Sequence, residues 1–270
     1  MLEFKQVEYS YKSTDDMLLS HINFTLAPGE FVCLLGKNGS GKSTIAKLAN
    51  GLRLPLSGEV LLDGKKTLEP QNLFHIRSRV QLLGQDPASQ IVSSTVFEEL
   101  CFGPCNLGLD ETEVKKRVAQ VLELTELNGL EKRSPESLSG GEQQRLMLAS
   151  VLVMKPEYLI LDESFSMLDP VLAKKLMSII VKINKSGVAI LNISHNPQDL
   201  IYSDSALLLK EGTLSKTFKR DEFRELLELL DAEGLITPGS YTKLLMDLKL
   251  TPQDEIFMNP ESLAKKIMKA

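Results

Sequence analysis

The sequence lacks the features of a membrane-spanning or exported protein. No apolar stretch approaches the ~20 residues that a membrane-spanning helix needs. The first residues, 1–5, lack the charged and then apolar layout of a signal peptide. We therefore expect a soluble protein, so that any role at a membrane comes through a partner.

Basic residues are not in excess, and cysteines are few. Lys and Arg number 31 against 36 Asp and Glu, and the net charge of -5 offers no general attraction to nucleic acid or anionic lipid. The three cysteines lack the spacing of metal-ligand pairs. Cys33 lies in an apolar run and is expected to be buried, whereas Cys101 and Cys105 are expected to be reduced thiols. We predict no nucleic acid partner.

Strand patterns occur early and late in the chain. Residues 2–11 alternate as a strand or hairpin arm does, and the run 31–35 is apolar on both faces, as a buried parallel strand is. Two more buried strands are predicted at 158–161 and 188–193, separated by an amphipathic helix at 171–184. This alternation predicts an α/β fold with a mostly parallel sheet and an antiparallel β arm.

Helical periodicity dominates the middle of the chain, including 113–127 and 142–154. We therefore predict a main domain over residues 1–225 that carries an inserted helical subdomain at about 86–155. Leucine-rich stretches near the end predict a small helical C-terminal extension over 226–270.

The C-terminal stretches with helical periodicity lie at 223–230 and 241–248 and are separated by Gly234 and Pro238. We expect their leucines to make a small core or a dimer contact rather than a membrane anchor.

A glycine-rich loop between a predicted strand and a predicted helix has the spacing G-x-x-x-x-G-K-[ST]. It comprises Gly36, Lys37, Asn38, Gly39, Ser40, Gly41, Lys42, Ser43 and Thr44. A triphosphate needs several converging backbone N–H groups, and glycines leave these groups accessible. Lys42 would reach the β- and γ-phosphates, and the Ser43 hydroxyl would ligate Mg²⁺. The loop alone predicts only nucleoside triphosphate binding, because kinases, GTPases and ATPases share it.

Two acids, Asp162 and Glu163, end the predicted strand 158–161. The arrangement resembles a Walker B strand, in which Asp162 would hold the Mg²⁺ shell and Glu163 would orient or deprotonate the attacking water. A positioned base contributes ~10²–10⁴-fold in rate. The alternative is an acid pair that caps the following turn.

A short glycine-containing segment before a predicted helix resembles the LSGGQ signature of ATP-binding-cassette (ABC) proteins. It reads Leu138, Ser139, Gly140, Gly141 and Glu142. Ser139 and Glu142 also have the spacing of a capping box, and both interpretations can hold because a helix N-terminus preceded by glycines is itself an anion site.

Other elements of the ABC family follow in the expected order, and the resemblance covers about residues 2–220. Tyr11 matches the aromatic residue that stacks on adenine, with Tyr9 as the second choice and strand packing as the alternative role. Gln85 matches the Q-loop glutamine, residues 166–169 match the D-loop, and His195 matches the switch histidine. An exposed loop glutamine and an ordinary surface histidine are the alternatives.

The resemblance implies ATP and Mg²⁺ as cofactors and the following site. The implied catalytic residues are Glu163, His195, Gln85 and Lys42. The implied nucleotide-binding residues are Tyr11, Gly36, Asn38, Gly39, Ser40, Gly41, Lys42, Ser43, Thr44, Ser139, Gly140 and Gly141. The implied metal-binding residues are Ser43, Gln85 and Asp162. In this family the signature of one subunit completes the ATP site of another, so a second ABC ATPase subunit, identical or paralogous, is an implied partner.

Within the family, residues 85–92 and 102–109 resemble the ATPase of energy-coupling-factor (ECF) importers of vitamins and metals. That resemblance implies an integral membrane coupling protein of the EcfT type and a substrate-binding membrane protein, the S component, with this chain at the cytoplasmic face of the membrane. The segment 86–110 is the expected docking site of the transmembrane partner.

Several positions depart from the ECF pattern. They are Gly84, Asp86, Ser164, Phe165 and Asn196. None of them removes a predicted catalytic group. Two other classes of protein are the alternatives. One is a non-transport ABC ATPase, which usually has a long coiled-coil insert or tandem cassettes, and the other is a catalytically idle partner in a heterodimer.

Overall fold

The structure is a computed structural model, and it describes residues 1–11, 16–86, 90–232 and 234–235. The strands are β1 (Leu2–Tyr9), β2 (Leu19–Leu26), β3 (Phe31–Gly36), β4 (Ser57–Leu62), β5 (Lys65–Lys66), β6 (Val80–Leu83), β7 (Tyr158–Asp162), β8 (Ala189–Ile193), β9 (Ser205–Lys210) and β10 (Thr213–Lys219). The α-helices are α1 (Lys42–Ala49), α2 (Leu73–Arg79), α3 (Val96–Asn106), α4 (Glu111–Thr125), α5 (Gly140–Leu152), α6 (Pro170–Lys185) and α7 (Phe223–Ala232). Short 3₁₀ turns lie at Pro70–Asn72, Pro135–Ser137, Pro197–Tyr202 and Arg220–Glu222.

The centre of the fold is a mostly parallel sheet with the strand order β10-β9-β3-β8-β7-β6. All of its neighbouring pairs are parallel except β9 with β10, which form an antiparallel hairpin. Every residue of β3, β7 and β8 is buried, which confirms the three predicted buried strands. Ligands of such sheets bind beyond the carboxyl ends of the strands. The segments that follow β3, β6, β7 and β8 therefore meet at one edge.

A second, antiparallel sheet forms the predicted β arm, with the order β2-β1-β4-β5. Its apolar face packs with α1 and one face of the parallel sheet into a single core. Leu19 in β2 lies against the phosphate loop, where a Cβ on Gly41 would come within 2.6 Å of its Cδ2. The arm therefore forms one wall of the site described below.

Helices α3, α4 and α5 pack together and onto the other face of the parallel sheet, forming a second core. They confirm the α/β fold with an inserted helical subdomain. Both helices predicted in this segment are present as α4 and α5, with ends shifted by about two residues at most termini, which is the usual uncertainty of helix boundaries.

Helix α7 packs onto the edge of the parallel sheet. Phe223, Leu226, Leu227 and Leu230 are buried against side chains of β3, β9 and β10. The predicted domain boundary between residues 225 and 226 thus lies inside α7, and three of the leucines that follow it, Leu226, Leu227 and Leu230, pack against the sheet of the main domain. The predicted helical stretch at 241–248 lies outside the described residues.

Candidate nucleotide-binding site

The phosphate loop joins β3 to α1 and passes very close to its surroundings. A Cβ on Gly36 would lie 2.4 Å from the carbonyl oxygen of Leu209 in β9. Gly41 has a φ of 105° and caps the N-terminus of α1. Side chains at these two positions would push the loop away from the sheet or strain it. The loop therefore keeps its curled shape because both positions are glycine.

Lys42 is buried inside this loop. Its Nζ donates to the carbonyl oxygens of Gly36 at 2.8 Å and Lys37 at 3.0 Å, and lies 3.7 Å from Oε1 of Glu163. The buried Oγ of Ser40 has no hydrogen-bond partner within the described part of the chain. An ammonium and an unsatisfied hydroxyl in a glycine-rich loop fit the oxygens of a phosphate.

Ser43 and Asp162 lie together although 119 positions separate them in sequence: the hydroxyl of Ser43 donates to Oδ1 of Asp162 at 2.9 Å. Burial raises the pKa of Asp162, and the hydrogen bond from Ser43 partly opposes that shift. A hydroxyl and a carboxylate beside a phosphate site are the hard oxygen donors that Mg²⁺ takes together with phosphate oxygens. These residues fit the predicted metal site.

Glu163 and His195 meet beyond the ends of β7 and β8. Nδ1 of His195 lies 3.4 Å from Oε2 of Glu163, while Lys42 faces the other oxygen. The backbone of Glu163 has a φ of 50°, and its N–H donates to the carbonyl of Ile193 at 3.1 Å. The structure thus brings together four predicted residues: Lys42, Asp162, Glu163 and His195.

Tyr11 follows β1 and touches the phosphate-loop helix. Its hydroxyl lies 3.1 Å from Oγ1 of Thr44, and the guanidinium of Arg53 lies 5.6 Å from the centre of its ring. Tyr9, the second choice for the adenine platform, is buried in the core and meets Tyr11 edge-on. Of the two tyrosines, only Tyr11 is partly accessible beside the loop. Arg53 was not anticipated, because a single arginine in a loop has no sequence signature.

The signature segment starts α5. Ser139 is the N-cap, and the N–H of Glu142 donates to its Oγ while the carboxylate of Glu142 accepts from the N–H of Ser139, so the predicted capping box is confirmed. A Cβ on Gly140 would have no neighbour within 4 Å, whereas one on Gly141 would lie 2.7 Å from Leu172 in α6. Gly140 therefore leaves the backbone open to a ligand, and Gly141 allows α5 to approach α6.

The signature turn faces a groove of about 600 Å³ that is separate from the phosphate loop. The groove is lined by Gln85, Asp86, Gly140, Gly141, Gln143, Gln144, Met167, Leu168, Asp169 and Leu172. None of these described residues belongs to the phosphate loop. Gln85, which is exposed, thus lies with the signature and the D-loop, and the side chain of Met167 is 81% exposed at its rim.

Two of the positions that depart from the ECF pattern, Asn196 and Gly84, have partners close by in sequence. The side chain of Asn196 accepts from the N–H of Gln198 and caps the turn after His195. The N–H of Gly84 donates to Oε1 of Gln90, where a Cβ would be crowded. These contacts show how the switch and Q-loop turns are closed with the residues that are present.

A glycine loop between a buried strand and a helix, with a buried lysine, a metal-binding hydroxyl and a strand-end acid, defines a P-loop nucleoside triphosphatase. The sequence profile described as ABC transporter matches residues 19–166. The chain belongs to this family, and it is an ATPase that uses ATP and Mg²⁺.

Two relatives from the ABC family are similar to this chain over most of its length. The chain is 37% identical to the cobalt import ATP-binding protein CbiO of Syntrophus aciditrophicus over 92% of this chain and 89% of that protein. It is 39% identical to the energy-coupling factor transporter ATP-binding protein EcfA of Syntrophomonas wolfei over 82% and 81%. Both comparisons cover more than four fifths of this chain.

A solved structure of cbiO1 from Clostridium perfringens, described as part of the ABC transporter complex cbiONQ, has a TM-score of 0.74 and 31% identity, covering 86% of this chain and 94% of that one. The chain is therefore an ATP-binding subunit of an ABC transporter, and its relatives include ATP-binding proteins of the ECF group. Among the described helices none is both long and apolar enough to cross a membrane.

Proposed function

We propose that this chain is the ATPase of an ECF-type importer that takes up a vitamin or a transition-metal ion. Two cassettes, identical or paralogous, would close head to tail around ATP and reopen after hydrolysis. The observation that carries the proposal is the separation of the two halves of an ATP site. The phosphate loop and the catalytic acids form one cluster, while the signature turn faces a groove that contains no phosphate-loop residue.

Hydrolysis follows from the geometry of the cluster. Lys42 would bind the β- and γ-phosphates, and Ser43 and Asp162 would hold Mg²⁺, which would neutralise phosphate charge. Glu163 accepts a proton from the water that attacks the γ-phosphorus, and the bond to the β–γ bridging oxygen breaks to give ADP and phosphate. His195, 3.4 Å from Glu163, is placed to contact the γ-phosphate. Gln85 lines the groove of the signature turn rather than the phosphate-loop cluster, and we expect it to approach the metal or the attacking water when the two cassettes close.

Exposed apolar side chains indicate where the membrane partner would bind. Val92, Phe97 and Phe102 are exposed within the predicted docking segment 86–110, and Phe74 on α2 is exposed as well. Exposed apolar side chains that form a patch commonly mark a surface that binds a protein partner. We propose that this segment binds an integral coupling protein of the EcfT type. The coupling protein would join a substrate-binding S component and hold the chain at the cytoplasmic face of the membrane.

The first test is the catalytic role. Glu163→Gln should retain ATP binding but lower the rate of hydrolysis by about 10²-fold or more, because the base is lost while the phosphate contacts remain. Glu111→Gln on the exposed face of α4 is the matched control and should leave both unchanged. An unchanged rate in the assembled complex with Glu163→Gln would contradict the assignment.

The second test is docking. The tagged chain should co-purify from membranes with an integral protein, identified by mass spectrometry. Phe102→Glu should reduce that association, since it places a charge within the apolar segment. Leu229→Glu, which changes an exposed leucine on α7, is the control. A stable homodimer that never associates with a membrane protein would count against an importer while leaving the ATPase assignment intact.

A further inference from the structure

Ser164, the first residue of the pair Ser164-Phe165 that departs from the ECF pattern, forms buried hydrogen bonds to two other segments of the chain. It is 5% exposed, and its Oγ donates to the carbonyl oxygen of Leu83 at 2.7 Å. Its own carbonyl accepts from the side-chain amide of Gln144, which is also buried. Both partners are far away in sequence, so these bonds join separate segments of the chain.

The three segments that meet at Ser164 are the ones that carry the motifs. Leu83 is the last residue of β6, two positions before Gln85. Gln144 lies in the first turns of α5, the helix that begins at the signature. Ser164 itself directly follows Glu163. A single residue therefore connects the Q-loop strand, the signature helix and the proposed base.

Glu163 has an unusual backbone conformation. Its φ of 50° lies in the left-handed region, which residues with a Cβ seldom occupy and which persists only where neighbouring contacts hold it. On one side, its N–H donates to the carbonyl of Ile193. On the other side, its carbonyl accepts from the hydroxyl of Ser166 at 2.8 Å, and the next residue is fixed by Leu83 and Gln144.

We propose that Ser164, held by Gln144, is a positioning residue that fixes the left-handed backbone of Glu163 and so aims its carboxylate between Lys42 and His195. The hydroxyl of Ser164 keeps the end of β7 in register with the end of β6. The proposal rests on the assigned role of Glu163 as base. A rotated peptide at Ser164 would move the carboxylate without changing the phosphate loop, so ATP binding would be preserved while the attacking water would be poorly aligned.

The test compares Ser164→Ala with Ser164→Thr in the full chain. Loss of one hydrogen bond of this type corresponds to about three- to tenfold in rate. We expect kcat to fall by about that factor in Ser164→Ala, while KM for ATP changes by less than about twofold. Ser164→Thr retains the hydroxyl donor and should recover kcat. Thermal melting of each variant confirms that the protein measured is folded.

Gln144→Met provides an independent variant, since it removes the second bond to Ser164 with a side chain of similar length. It should lower kcat in the same way, and combining it with Ser164→Ala should give less than the product of the two effects, because both act on one peptide unit. Ser150→Ala is the matched control. Ser150 also donates from α5 to a backbone carbonyl, that of Leu146, but does not touch Glu163.

These variants distinguish the positioning role of Ser164 from the role of Glu163 as base. If Glu163→Gln abolishes hydrolysis while folded Ser164→Ala and Gln144→Met keep the kcat of the unmodified protein, the positioning role is wrong and the base assignment stands. An equal loss of ATP affinity and kcat in these variants would also overturn the positioning role. If Glu163→Gln itself hydrolyses ATP normally, the proposed base is wrong.

Discussion

The buried carboxylate of Asp162 lowers the stability of the folded protein, and it is also part of the predicted metal site. Because burial raises its pKa, the folded protein binds the proton of Asp162 more tightly than the unfolded chain does. Stability is therefore lost as pH rises from the unfolded pKa through the raised folded pKa. Asp162→Asn keeps an acceptor for Ser43 and removes the charge.

We predict that Asp162→Asn raises the melting temperature at pH 7 in the absence of nucleotide and Mg²⁺, and that this gain disappears when the pH is lowered below about 4, the ordinary pKa of aspartate. Added MgATP should stabilise the unmodified protein more than the variant. Glu111→Gln, which changes an exposed carboxylate, should show no such gain. A variant less stable at pH 7 would contradict the burial argument.

For individual residues, the sequence predicted which side chains belong to the site better than it predicted the contacts that these side chains make. The glycine spacing and the strand-end acids predicted which residues cluster at Lys42, because motif spacing is local. The choice between Tyr9 and Tyr11 depended on burial, which adjacent alternating positions do not reveal. The contacts of Arg53 and Ser164 join residues that are distant in sequence, so no local pattern could have indicated them.

At the scale of elements, Glu99 in α3 holds the segment that leads out of the Q-loop. Its carboxylate is buried, and Oε2 accepts from the N–H groups of Val92 and Ser93, both at 3.0 Å. Replacing it leaves two donors without their acceptor, a loss of about 1–3 kcal/mol. The exposed neighbour Glu98 instead closes the capping box with Thr95.

We predict that Glu99→Leu accelerates hydrogen exchange at the amides of Val92 and Ser93 and lowers the melting temperature. Glu98→Gln is the control, and its effect should be confined to the cap at Thr95. Hydrogen exchange followed by NMR or mass spectrometry reports both segments. Unchanged protection at 92–93 in Glu99→Leu would show that the carboxylate does not hold this segment.

Helices and strands could be predicted from the sequence where all of their residues are buried or where buried residues recur at a regular spacing. Strands β7 and β8 and helix α6 follow from continuous or amphipathic apolar runs. Helix α2 has seven residues of which only Ile76 is buried, so it offers no period to detect. Helix α3 contains Pro104 and is held by the carboxylates of its first turn, Glu98 and Glu99, rather than by propensity.

For the whole molecule, α7 decides where the main domain ends. Its four buried apolar side chains correspond to about 6 kcal/mol or more of hydrophobic stabilisation, against a total stability of about 5–15 kcal/mol for a typical domain. A chain ending at residue 235 should therefore remain folded, while one ending at 222 should unfold or aggregate. Circular dichroism melts of the two chains test this. Equal stability would restore the boundary predicted at residue 225.

The head-to-tail arrangement can be tested by mixing variants. Each ATP site would combine the phosphate loop of one chain with the signature turn of the other. Lys42→Ala removes the phosphate-binding ammonium. Gly140→Asp places a charge at the signature turn, in open space where the fold tolerates a side chain. In a dimer of two identical chains, each variant alone should be inactive, since every site lacks one half.

Mixing the two variants should restore ATP hydrolysis, because in a mixed dimer one site combines the intact phosphate loop of the Gly140→Asp chain with the intact signature of the Lys42→Ala chain. The control mixture pairs Lys42→Ala with the double variant Lys42→Ala/Gly140→Asp, which leaves no intact phosphate loop and should stay inactive. Phosphate release measured over a range of mixing ratios should peak near equal amounts. If activity never recovers although mixed dimers form, the signature turn does not complete the site of a neighbouring chain.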